Sequence, residues 1–153
     1  MAPNDELPPD RANRIADAVE SIERDVVRLR ELQAVTRQEY GADDAQDLRD
    51  AVERKFEKLA EATLDVATQI AKQEGRRVPA RRKDRIDAIE DLDVLGADLA
   101  DRLREAVAFR DVLAHTYGAI VNDDLVYDAL QNGLDRYVEF VSAVDRYLSG
   151  FDG

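Results

Sequence analysis

Apolar residues in this chain recur at three- and four-residue steps over long stretches, and that spacing commits it to amphipathic helices. Ile15, Val19, Ile22, Val26 and Leu29 form one stripe. Leu48, Val52, Phe56, Leu59, Thr63, Val66 or Ala67, and Ile70 form a second. No segment alternates with the period of two that a half-buried strand requires. The first stripe predicts a helix from about Asp10 to Tyr40, stopped by Gly41. The second predicts a helix capped by Asp43 or Asp44 and ended by Gly75. Pro79 marks a loop, after which a shorter helix buries Ile86, Ile89, Leu92 and Leu95 and breaks at Gly96. A fourth helix, from about Ala97 to Thr116, presents Leu99, Leu103, Val107 and Phe109 or Arg110, and Gly118 closes it. Asn122 or Asp123 caps a last helix carrying Leu125, Val126, Leu130, Leu134, Val138, Val141 and Leu148. The expected fold is all-α: an up-and-down bundle of about five helices over residues 12–149, behind a flexible N-terminus at 1–11.

Composition narrows the function classes. The 153 residues suit one domain, and the absence of cysteine excludes disulfides and thiolate metal sites. No apolar run approaches the roughly 20 residues that cross a bilayer, and the first ten residues lack the apolar stretch of a secretion signal. The expectation is a cytoplasmic protein with no membrane partner. A net charge of −12 opposes broad polynucleotide binding, so no DNA partner is expected. Acidic residues are mostly aspartate and basic ones mostly arginine, with lysine only at 55, 58, 72 and 83. That bias fits either a high-salt source or a GC-rich genome.

One local segment gathers residue types that suit chemistry. The single histidine, His115, shares the end of the fourth helix with Arg110, Asp111 and Tyr117. Asp111 and His115 are four apart and lie on one helical face, so the carboxylate could orient the imidazole and favour its protonated form. Arg110 and Tyr117, seven apart, share the adjacent face. A proton carrier, a carboxylate, a fixed cation and a phenol along one edge suit phosphodiester chemistry without a metal. The bland alternative is a histidine near a helix C-terminus and a solvated arginine–aspartate pair.

These residues resemble a known motif. Arg110-Asp111-x-x-x-His115 is similar to the motif of the HEPN superfamily, and its extension to Tyr117 resembles the HepT toxin subgroup. The similarity continues through Leu99 to Leu103 and Ala108-Phe109 upstream, and Asp124-Leu125-Val126-Tyr127 and Phe140-Val141 downstream. It also takes in Ala51 to Phe56 and Leu64 to Ala67, and spans roughly residues 12–148. The resemblance implies α-helical homodimers in which two motifs face each other across an RNA-cleaving cleft. It implies a metal-independent endoribonuclease that needs no cofactor, with His115 as general acid/base, Arg110 as phosphate stabiliser and Asp111 as histidine orienter. The implied partner is an antitoxin, a minimal nucleotidyltransferase of the MntA type. That partner silences the toxin by attaching AMP to the residue matching Tyr117, which would fill the anion site beside Arg110.

Two positions depart from the family pattern: Asp111 stands where asparagine is usual, and Thr116 where an acidic residue often stands. A basic segment partly offsets the acidic total. Arg76, Arg77, Arg81, Arg82, Lys83 and Arg85, with only Asp84 opposing them, are candidates to touch RNA phosphates or an acidic patch on the antitoxin. The competing reading is a solvated loop paired with nearby carboxylates. Tyr40, Tyr127, Tyr137 and Tyr147 read as packing residues. A non-catalytic helical module that partners a nucleotidyltransferase is the functional alternative.

Overall fold

The computed structural model describes residues 6–115, with side chains as far as 113, and residues 123–151. Among these, seven helices and no strands occur: α1 (Pro9–Leu32), α2 (Arg37–Tyr40), α3 (Gln46–Gln73), α4 (Arg82–Asp91), α5 (Ala97–His115), α6 (Asp123–Asn132) and α7 (Asp135–Ser149). No helix is long and apolar enough to cross a membrane. The all-α bundle expected from periodicity is therefore present, with more breaks than the five helices anticipated.

Each extra break has a local cause. The expected Asp10–Tyr40 helix ends at Leu32, because Thr36 and Glu39 start a new one. Thr36 Oγ1 accepts from the Glu39 N–H at 3.1 Å, and Glu39 Oε1 accepts from the Thr36 N–H at 2.9 Å. This capping box satisfies two donors that a helix start otherwise leaves orphaned. The short helix after Pro79 stops at Asp91, short of Gly96, because Asp93 adopts the left-handed φ of 61°. The Val94 N–H then reaches the Ile89 carbonyl at 3.1 Å and closes the turn. Gly75 ends α3 in the same way, at φ 72°, with the Arg76 N–H on the Ala71 carbonyl at 2.8 Å. The final stretch divides at Gly133, where a Cβ would lie 2.8 Å from the Ala129 carbonyl oxygen. Glycine permits that approach.

The core joins the stripes read from the sequence. Ile15, Ile22 and Leu29 of α1 pack with Val52, Phe56, Leu59, Val66 and Ile70 of α3, all essentially inaccessible. Phe56 meets Phe109 of α5 edge to face, with ring centroids 5.6 Å apart, and Tyr40 meets Tyr127 of α6 at 5.7 Å. Val126, Leu130, Tyr137, Phe140 and Val144 close the bundle from α6 and α7. One buried charge crosses it: Asp25 of α1, 2% exposed, lies 3.4 Å from Lys55 and 3.5 Å from Lys58 of α3. Its Oδ2 makes no hydrogen bond, so the Lys58 contact is charge against charge without bonding geometry.

Candidate functional site

The packing of α5 decides where the motif arginine points. Leu103, Ala106, Val107 and Leu113 are buried at helical spacing, and Arg110 falls on that same stripe. Its side chain is consequently only 13% exposed. A charge brought this far from water needs partners, and two carboxylates provide them. Nη2 donates to Glu61 Oε1 of α3 at 3.1 Å, and Nη1 donates to Asp111 Oδ1 at 3.3 Å. The Glu61 bond, aided by Asp111 and opposed by partial burial, raises the guanidinium pKa above its ordinary value, so the group stays a cation. Its Nε–H is buried and has no hydrogen-bond partner.

The basic segment lies alongside. Gly75 to Arg81 connect α3 to α4, and Arg82 opens α4. Arg82 Nη1 donates to the same Asp111 Oδ1 at 3.1 Å, so one carboxylate oxygen joins the motif to the basic segment. Arg104 of α5 holds α4 in place, reaching Asp87 at 2.6 Å and Glu90 at 3.0 Å while also pairing with Asp101 of its own helix. Arg85 Nε–H donates to the Pro79 carbonyl at 3.1 Å and ties the loop to the helix. Together these contacts shape a recess of about 510 Å³ lined by Ala80, by the cations Arg81, Arg82, Lys83 and Arg85, and by the carboxylates Asp84 and Asp111. Arg76, Arg77, Arg81 and Lys83 are exposed and form no ion pair with the described residues. The paired-loop reading thus applies to Arg82 alone among ion pairs. Arg76, Arg77, Arg81 and Lys83 face solvent, while Arg85 is half-buried against the Pro79 carbonyl.

Of the residues singled out from the sequence, Arg110, Asp111 and Arg82 converge. His115 is the last residue of α5, but its side chain, and Tyr117 altogether, lie outside the described residues. The expected Asp111–His115 and Arg110–Tyr117 relations, Thr116, and the stop at Gly118 lie outside them too. The tyrosines act as packing and bracing groups: Tyr40 and Tyr137 are fully buried, and the hydroxyls of Tyr127 and Tyr147 donate to the Val35 carbonyl and to Glu74, both at 2.7 Å. Among the described residues, no group of three or more His, Cys, Asp or Glu is placed to hold a metal ion. Sequence reasoning missed Glu61. Its partner lies 49 residues away, and only the packing of α3 against α5 brings the two together.

Around this site the chain has recognisable relatives. It is 25% identical over 97 residues to the mRNA nuclease HepT of Shewanella oneidensis, covering 63% of this chain and 72% of that protein. Its fold superposes on a toxin–antitoxin crystallised with AMP-PNP at a TM-score of 0.74 and 21% identity, covering 88% of this chain and 98% of the other. It also superposes on the tri-AMPylated Shewanella oneidensis HEPN toxin in complex with MNT antitoxin, at 0.71 and 22% identity, covering 87% and 97%. At these identities the two structures attest the fold. Residues 22–144 match the family described as Ribonuclease HepT-like, and that match spans the bundle from within α1 into α7 and includes Arg110 and His115. The chain therefore belongs to the HepT-like ribonuclease family.

Proposed function

We propose that this protein is a metal-independent endoribonuclease toxin that acts as a homodimer, with two Arg110–His115 motifs facing one cleft. The observation that carries the reading is Arg110, a cation fixed by carboxylates on two helices beside a recess in which four cations outnumber two carboxylates. Held in place, it suits the charge that develops on a phosphate in the transition state, since it needs little reorganisation as the reaction proceeds. His115 moves a proton to or from the ribose hydroxyl at the scissile phosphate, and Asp111 orients its ring. Arg76, Arg77, Arg81, Arg82, Lys83 and Arg85 take flanking phosphates.

Control falls to a nucleotidyltransferase antitoxin of the MntA type that attaches AMP to Tyr117. The support is the tri-AMPylated relative bound to MNT antitoxin and the match of Tyr117 to the motif tyrosine. The test is cleavage of RNA by the purified protein with a chelator present, at low and high salt, beside His115→Ala. Chelator-resistant cleavage by the parent, lost in the variant with its helical spectrum unchanged, is expected. Equal cleavage by the variant would refute the assignment of His115, and RNA left intact by the parent would favour the non-catalytic partner module.

A further inference from the structure

Arg110 draws on two carboxylates that differ in kind. Asp111 is its immediate neighbour on α5, and successive side chains of a helix point in divergent directions. The contact is the longer of the two, at 3.3 Å, and its oxygen is shared with Arg82. Glu61 stands on α3, faces the guanidinium across the helix interface, and reaches it at 3.1 Å. Among the described residues it is the only group from another helix that bonds to Arg110. Glu61 itself remains accessible, its side chain 44% exposed, so it does not build the core. Its backbone is nonetheless fixed, because Ala60 and Ala62 on either side are buried.

We infer that Glu61 is a positioning residue for the proposed cleavage: it fixes the direction of the Arg110 guanidinium relative to α3, so that the remaining N–H donors meet the scissile phosphate. This rests on the reading of Arg110 given above. An arginine has five N–H donors in a rigid fork. Two are committed to carboxylates here and the Nε–H is buried, which leaves the second N–H of each terminal nitrogen to a phosphate in a fixed orientation. Without Glu61, the long side chain would be held only by its own helix neighbour. The loss would fall on the transition state, where direction matters most, and little on ground-state RNA binding.

The test compares Glu61→Ala and Glu61→Gln with Arg110→Ala and the parent, all as full-length protein, reading kcat and KM for RNA cleavage together with the thermal midpoint. Glu61→Ala is expected to lower kcat by roughly tenfold to a hundredfold, the scale of a small misplacement of a reacting group, with KM little changed. Glu61→Gln keeps an acceptor oxygen and is expected to restore most of the loss. Unchanged or faster cleavage by Glu61→Ala, while Arg110→Ala is inactive, would overturn the inference and leave the ribonuclease reading intact. A loss shared equally by the glutamine variant would also overturn it, since position would then not be the cause. A parent that cleaves nothing would remove the ribonuclease reading and this inference together.

Discussion

Asp111→Asn separates two effects of one carboxylate. Asp111 Oδ1 accepts from Arg110 at 3.3 Å and from Arg82 at 3.1 Å, so a negative charge sits between the two cations proposed to meet phosphate. Removing it exchanges an ion for an amide of the same shape and leaves both arginines in place. A full charge about 4 Å away is worth about 4 kcal/mol at an effective dielectric of 20. Asp111 is 39% exposed and Arg82 45%, however, so solvent screening brings the effect towards the exposed-pair scale, about 1 kcal/mol. That corresponds to RNA binding about fivefold tighter. The assay is fluorescence anisotropy with a labelled RNA, carried out in a His115→Ala background so that the RNA stays intact. The gain should shrink as salt rises, because screening acts on the charge that was removed. Unchanged or weaker binding at low salt, with the protein folded, would refute the argument. The proposed orientation of His115 is read separately, in kcat of the cleavage-competent Asp111→Asn protein.

Other expectations follow from the bundle. Replacing Lys55 and Lys58 together by methionine strands the buried Asp25 carboxylate and should cost about 3 kcal/mol or more, whereas Asp25→Asn leaves two lysines able to reach water and should cost about 1 kcal/mol. Chemical denaturation giving the reverse order would contradict this. Gly133→Ala drives a Cβ onto the Ala129 carbonyl at 2.8 Å and should lower stability by about 1–3 kcal/mol, a few degrees in thermal midpoint; an unchanged midpoint would show that the turn gives way freely. Arg102 holds the Glu139 carboxyl below its ordinary value, so that pair stabilises the fold above the unfolded glutamate pKa and is lost as pH falls through the lower folded value. Burial raises Glu53 and Asp65, and their protonation acts in the opposite sense. Glu139→Gln should therefore lose less thermal stability than the parent between neutral pH and about pH 3.

What the sequence made legible was set by local periodicity. Val52, Phe56, Leu59, Val66 and Ile70 each occupy the face their spacing assigned, because burial of a stripe follows directly from the helical repeat. The interruptions were harder. Thr36-x-x-Glu39 is a readable capping signal, but Gly41 is the plainer stop and drew the first helix across it. Leu130 and Leu134 carried the last stripe across Gly133. Asp93 takes a left-handed backbone that its residue type only weakly indicates, whereas Gly75 announced its own. For the site, Arg110 could be placed on a face from spacing alone. Glu61 could not, since its role arises from a contact between two helices that share no sequence signal.

The attachment of α4 gives the bundle an uneven grain. Within the helix only Ile86 and Ile89 are buried, while Arg104 and the Arg82–Asp111 contact fasten it through charge. Elements with few buried apolar contacts open first in the native ensemble. In amide hydrogen exchange, α4 should thus form a separate, early-opening unit against the slower α1 and α3. The stretch bearing the free arginines can then loosen and re-form while the rest of the molecule stays folded.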